Sequence, residues 1–282
     1  MTRIDPHTHS ALSDGTDMPA VLMERARDAQ LDVLGLTDHD TFAGWDEAAA
    51  AVAHTGVALL RGAELSCSWD NLSVHLLLYL PNPDDTTLAD IFARSLQSRA
   101  TRAQEMVNRL AADYPITQED VLRWAPDDGP IGRPHIADAL VEVGAFPDRA
   151  AAFVHALHPS GPYYVDHWSP DPVAAVEAVR NAGGVPVLAH PRARGRSGRV
   201  LPEGVIENMR EAGLFGVEVH HRDHRDEDRR EVHEIAQRLG LYEFGSSDHH
   251  GTGKPNQLGE NLTAPEVLSA LEEQGYMEVI YP

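Results

Sequence analysis

Sixteen histidines stand in this chain of 282 residues, and many are gathered in short polar motifs. His7-Thr8-His9 places two imidazoles at alternate positions of a strand candidate. Alternate residues of a strand share a face, and that spacing suits two ligands on one cation. Asp14 follows in Ser13-Asp14-Gly15, which by itself would read as a turn or a helix cap. His39 is flanked by carboxylates in Thr37-Asp38-His39-Asp40. Glu64 closes the apolar run that begins at Val57, and His75 interrupts the apolar run 73–80. Taken alone, Glu64 reads as a surface carboxylate and His75 as a satisfied core histidine. His190 closes Val187-Leu188-Ala189-His190, and Asp248 and His250 lie in Gly245-Ser246-Ser247-Asp248-His249-His250-Gly251.

These residues need elements to hold them. Strand candidates are 2–7, 32–37, 57–64, 73–80, 185–190, 215–220 and 241–246. Helix candidates lie between most of them, for example Pro19–Gln30, Asp171–Ala182, Pro202–Ala212 and Asp226–Leu239. Such alternation predicts an α/β fold with a largely parallel sheet. Six of the strands carry His, Asp or Glu at or near their C-terminal ends, the end at which parallel α/β folds build their sites. Each motif is weak alone; their shared position is the argument. Mixed imidazole and carboxylate donors suit Mn²⁺, Zn²⁺ or Fe²⁺. The rhythm breaks over residues 86–166, where helical periodicity replaces strands. This stretch is expected to form an all-helical insertion that caps the site of a barrel made from residues 1–85 and 167–282.

Twenty-three basic residues oppose 44 acidic ones, a net charge of −21. No extended grip on nucleic acid is expected from such a surface. No run reaches the roughly 20 apolar residues of a membrane span. The single cysteine, Cys67, cannot pair within the chain, and the expected location is the cytoplasm. An acidic protein repels phosphorylated molecules unless bound cations supply local positive charge. Lys254 is the only lysine, so basic contacts must come from arginine. Arg99 and Arg102 read as a solvated helix face.

The motifs from His7-Thr8-His9 to Asp248-His249-His250, together with Gly62-Ala63-Glu64 and Gly216-Val217-Glu218, resemble in order those of the PHP (polymerase and histidinol phosphatase) domain family. That resemblance implies a distorted seven-stranded (β/α) barrel with two or three divalent metal ions. It implies that His7, His9, Glu64 and Asp248 hold one ion, and that Glu64 bridges to a second held by His75 and His190. Asp14, His39 and His250 would hold a third; some relatives have histidine in place of Asp14, and many have an aliphatic residue in place of Pro6. The insertion carries Gly132-Arg133-Pro134-His135, similar to stand-alone bacterial members that remove the 3′-phosphate of nucleotide 3′,5′-bisphosphates or trim short 5′-phosphorylated RNA. The expected substrate is therefore a phosphorylated small molecule or short oligonucleotide, attacked by a metal-bridging hydroxide. Arg133, His224 and Arg194 are the candidate substrate contacts, with His224 also a candidate acid. Histidinol-phosphate phosphatase, a metal-binding protein without turnover, and an amidohydrolase are the alternatives. The last commonly bridges its metals with a carboxylated lysine, and Lys254 lies in a Gly-rich loop.

Overall fold

The computed structural model describes residues 2–125, 131–193 and 198–282. Contacts divide them into two units, one running up to Ile91 and resuming over Ser169–Pro282, the other Phe92–Trp168.

The first unit is built on one seven-stranded sheet in chain order: β1 (Ile4–Thr8), β2 (Val33–Leu36), β3 (Ala58–Trp69), β4 (Leu72–Tyr79), β5 (Val185–Leu188), β6 (Gly216–His220) and β7 (Tyr242–Gly245). The segment after β7 returns to β1: the Asp248 amide donates to the His7 carbonyl at 3.0 Å and the His9 amide to the His249 carbonyl at 2.9 Å. These bonds nearly close the barrel. Helices α1 (Pro19–Asp28) and α2 (Trp45–Thr55) connect the first three strands. α7 (Pro172–Asn181), α8 (Glu203–Glu211), α9 (Asp226–Leu239) and α10 (Pro265–Glu272) accompany the later ones. The strands alternate as a sheet buried on both faces should. Val33, Ala58, Leu60 and Leu77 join one apolar cluster, while Leu34, Leu36 and Leu59 join another with α1 and α2. Each of these valine and leucine side chains stabilises the fold by roughly 1.5–3 kcal/mol on burial.

Pairings β1–β2, β2–β3, β5–β6 and β6–β7 are parallel, whereas β3–β4 and β4–β5 are antiparallel. The exception has a local cause. Asp70 and Asn71 take φ values of 46° and 58° between the paired residues Trp69 and Leu72. Two successive left-handed residues make the tight turn that matches strand twist, so the chain reverses at once. β3 therefore runs on to Trp69 instead of ending at Glu64, and Glu64 sits in mid-strand. His75 lies in the first half of β4, not at its C-terminal end. Because β4 runs backwards, its beginning reaches the rim where the parallel strands finish.

The second unit is helical in its described residues. It contains most of α3 (Thr86–Leu110), then α4 (Gln118–Leu122), α5 (Arg133–Glu142) and α6 (Arg149–His155). Thr117 caps α4 in a reciprocal box with Asp120. Ala103, Met106, Val107 and Leu110 of α3 pack with Ile136 and Leu140 of α5 in a core of its own.

Candidate metal centre

β1 delivers two histidines through an irregularity. Its register with β2 shifts between Asp5 and Thr8, so one extra residue is accommodated. Ile4 shares a face with Val33, while Thr8 pairs with Leu36, which belongs to the opposite face. The extra residue thus turns His7 and His9 onto the face of Ile4, the inside of the barrel. Pro6 occupies the bulge, where no ladder donor is required. Gly35 is needed opposite it, since a Cβ there would lie 1.9 Å from the Pro6 carbonyl oxygen. Asp14 is brought in by the loop that follows. The buried Asp38 carboxylate accepts from the hydroxyls of Ser10 and Ser13, both at 2.6 Å, and from the Ser10 amide at 2.8 Å. His39 follows β2 and bridges to Glu64. His190 and Asp248 stand at positive φ, 26° and 53°, just past their strands. Such strained conformations cluster at functional sites.

Glu64 is the hub. Its Oε2 lies 3.0 Å from His9 Nε2, 3.2 Å from His7 Nε2 and 3.3 Å from His39 Nδ1. Its Oε1 lies 2.7 Å from His75 Nδ1 and 3.3 Å from His190 Nε2. Asp248 Oδ1 is 3.5 Å from His7 Nε2 and 3.4 Å from His9 Nε2, and Asp14 Oδ1 is 3.1 Å from His250 Nε2. All nine residues expected from the sequence meet in this cluster. Among the described residues, three groups have donor atoms within 4.8 Å of one another: His7, His9, Glu64 and Asp248; His9, Asp14, His39 and His250; and His39, Glu64 and His75. His190 belongs to none of these sets, and His39 accompanies Glu64 and His75 instead.

The donors fit divalent cations. His7 Nε2 and His9 Nε2 approach to 3.0 Å, although two imidazole nitrogens gain nothing from each other unless one holds a proton or both face a cation. Among the described residues Asp14 Oδ1, His39 Nδ1 and His250 Nε2 are buried and find no hydrogen-bond partner of good geometry, a costly condition that a shared cation would relieve. The electrostatics agree. Burial opposes charge on Glu64, yet His75, His39 and His7 outweigh it and hold its carboxyl well below the usual range. Burial likewise opposes charge on Asp248, and Lys254, His250 and His7 hold its carboxyl well below that range. On His9, Asp248 and Glu64 overcome burial and raise the ring's pKa to about 9. On His39, burial wins and drives the pKa well down.

Three nearby residues carried no role in the sequence analysis. Glu218 is buried on β6, and its Oε1 accepts from His7 Nδ1 at 2.8 Å. Lys254 Nζ donates to Asp248 Oδ2 at 2.8 Å. His221 is fully buried with Nε2 3.6 Å from the same oxygen. Glu218 was detectable by the signal that marks His75, a polar residue inside an apolar strand. Nothing in the sequence joins Lys254 to Asp248.

The expected substrate contacts fare differently. His224 is buried. Its Nδ1 donates to the Val219 carbonyl at 3.0 Å and its Nε2 accepts the Arg192 amide at 3.2 Å. Both nitrogens are committed to backbone, and burial pushes its pKa below the ordinary value, so it offers no proton to a substrate. Arg133 belongs to the helical unit, where Nη1 donates to the Leu157 carbonyl at 3.2 Å and the guanidinium lies 5.5 Å from the Tyr164 ring. Arg194 lies outside the described residues. Arg99 and Arg102 are not a solvated face: they are 9% and 4% exposed.

The PHP domain model matches residues 5–112. A 3′,5′-nucleoside bisphosphate phosphatase of Chromobacterium violaceum is 36% identical over the whole of this chain and 99% of its own length. A 5′-3′ exoribonuclease of Haemophilus influenzae is 28% identical over 92% of this chain and 94% of its own. Among solved structures, one assigned as a metal-dependent phosphoesterase of Bifidobacterium adolescentis superposes with a TM-score of 0.94 and 40% identity, covering 97% of this chain and 96% of its own. A Chromobacterium violaceum chain described as an amidohydrolase, with bound sulfate and no metal, gives a TM-score of 0.87 and 34% identity over 100% and 98%.

Proposed function

Since the chain belongs to the PHP domain family, we propose that it is a metal-dependent phosphoesterase that removes the 3′-phosphate of nucleoside 3′,5′-bisphosphates. The observation that carries this reading is the convergence of eight imidazole and carboxylate side chains in three donor groups, with His190 3.3 Å from Glu64, in a chain 36% identical, end to end, to a phosphatase of that name. Short 5′-phosphorylated oligonucleotides are the second substrate class, favoured by the 28% identity to a 5′-3′ exoribonuclease. Sulfate bound to the Chromobacterium chain supports a place for a tetrahedral anion.

The proposed ligands are His7, His9, Asp14, His39, Glu64, His75, His190, Asp248 and His250, holding two or three ions of Mn²⁺, Zn²⁺ or Fe²⁺. Bound cations would supply the positive charge that draws phosphate to an acidic protein and would make a water acidic enough to serve as nucleophile at neutral pH. The chain's own groups prepare for this. Glu64 is shared between two donor groups, so it can serve two ions at once. Asp248 presents Oδ1 to His7 and His9 while Lys254 holds Oδ2. Arg133 is proposed to grip a second phosphate, by the paired N–H geometry that guanidinium offers to such oxygens. The amidohydrolase reading is disfavoured by Lys254, whose Nζ sits on one carboxylate while Glu64 occupies the shared position. Among the described residues no helix is long and apolar enough to cross a membrane. The buried free Cys67 favours a reducing compartment, which we take to be the cytoplasm.

The test is turnover of a nucleoside 3′,5′-bisphosphate, a 5′-phosphorylated RNA trinucleotide and histidinol phosphate, each with Mn²⁺ and after chelation. Metal-dependent release of phosphate from the first is expected to exceed the others. Preference for histidinol phosphate, or turnover that survives chelation, refutes the proposal.

A further inference from the structure

We propose that Glu218 is a positioning residue of this centre: it fixes the proton on His7 Nδ1, which leaves His7 Nε2 free for a cation, and it ties the His190 backbone to the same carboxylate. The inference rests on the metal-binding reading above and extends it to a residue that is not one of the proposed ligands.

Glu218 stands in mid-strand on β6, fully buried, immediately before the register irregularity between Glu218 and His220. Three donors converge on its carboxylate. His7 Nδ1 lies 2.8 Å from Oε1, the Ser246 hydroxyl donates to that same oxygen, and the His190 amide donates to Oε2 at 2.8 Å. An ionised carboxylate only accepts, so His7 must carry its proton on Nδ1. An imidazole with that single proton keeps its lone pair on Nε2, the nitrogen 3.0 Å from His9 Nε2 and 3.2 Å from Glu64 Oε2. Orienting a ligating ring through its other nitrogen also raises its basicity. The second oxygen acts on a different strand. His190 has φ of 26°, a conformation side-chain-bearing residues rarely adopt, and its amide is held by Glu218. One buried carboxylate thus couples ligands from β1 and from the end of β5.

No other side chain meets these demands. His7 and His190 both bring donors, whereas a glutamine offers one accepting and one donating end, so one partner would face an N–H. An aspartate would be too short to span both.

The experiment uses full-length protein and Zn²⁺. Competition with a chelator is expected to show Glu218→Gln binding zinc about 10–100-fold more weakly than wild type, with far-UV and near-UV circular dichroism retained. In zinc-loaded wild-type protein with ¹⁵N-labelled histidine, NMR is expected to show His7 protonated at Nδ1, with a downfield proton that exchanges slowly with water. In Glu218→Gln at saturating zinc that proton should move upfield and exchange quickly, a change that a purely structural role would not produce. Wild-type zinc affinity in Glu218→Gln overturns the proposal. So does a wild-type His7 protonated at Nε2, a result that stands even if the variant fails to fold. A wild-type protein that binds no zinc sinks the metal reading itself, which separates the two failures.

Discussion

The barrel rim and the helical unit present opposite electrostatic problems. At the rim, buried Glu64 and Asp248 and partly buried Asp14 stand among imidazoles, and their carboxyls are all held well below the usual range despite desolvation. In the helical unit, burial lowers Arg102 to about 9, and Arg99 and Arg133 push it further in that direction. Among the described residues Arg102 Nε is buried without a hydrogen-bond partner, its Nη1 lies 3.0 Å from His167 Nδ1, and Tyr164 and Asp166 only partly offset the fall. The rim concentrates acceptors that gain from added cations. The helical unit concentrates buried guanidinium groups that repel one another.

The contrast breaks most decisively at Glu64. Replacing it with alanine removes an oxygen pair that meets five imidazoles and leaves His7, His9 and His75 without their shared counter-charge. Activity is expected to fall about 10²–10³-fold, the usual cost of losing one preorganised electrostatic group. Metal content measured by elemental analysis should fall with it. Full metal content alongside full activity would remove Glu64 as the shared ligand.

The metal-free rim should also betray itself through pH. The folded pKa of His9 is raised to about 9 from an ordinary 6.5. A raised histidine stabilises the fold below its unfolded pKa, and that contribution is lost as pH rises through the folded value. Metal-free protein should therefore lose stability between about pH 6.5 and pH 9, by on the order of 3 kcal/mol. A cation replaces the protons, so the loss should shrink in the metal-loaded protein. Chemical denaturation at several pH values, with and without Mn²⁺, checks this; identical profiles would show that the rim does not exchange protons for metal.

How far the rim was legible follows from the same chemistry. His7 and His9 were readable because the period of a strand puts them on one face, though the bulge that turns that face inward has no simple sequence mark beyond Pro6 and Gly35. His75 reaches the expected rim from the first half of an antiparallel strand, not from a C-terminal end. The rule that sites gather at C-terminal strand ends failed on β4, and Asp70-Asn71, the turn that reverses it, was the overlooked signal. Glu218 was present in a noticed motif, yet only the fold brings its carboxylate to His7 across 211 residues of chain. His224 shows the opposite limit: a polar His-rich motif suggests chemistry, but neighbouring backbone groups absorb both ring nitrogens. Arg99 and Arg102 of α3 are buried against the expectation of a solvated face, because helical periodicity locates a stripe without saying what covers it.

The comparison is sharpened most finely at Arg133. If its guanidinium grips a phosphate other than the one cleaved, Arg133→Ala should raise KM for a nucleoside 3′,5′-bisphosphate by roughly 10–100-fold, the equivalent of about 1.5–3 kcal/mol for a hydrogen bond to a charged group. The same change should leave KM for a nucleoside 3′-monophosphate nearly untouched and metal content unaltered. The side chain also packs 5.7 Å from Phe153 and 5.5 Å from Tyr164, so alanine alone confuses lost charge with lost packing. Arg133→Met keeps much of the apolar stem and discards the charge. If methionine restores the bisphosphate KM, the arginine serves the helical core. If it reproduces the alanine defect, the guanidinium itself carries the contact. Loss of metal in either variant would place Arg133 with the cation-binding rim and erase the division of labour between the two regions.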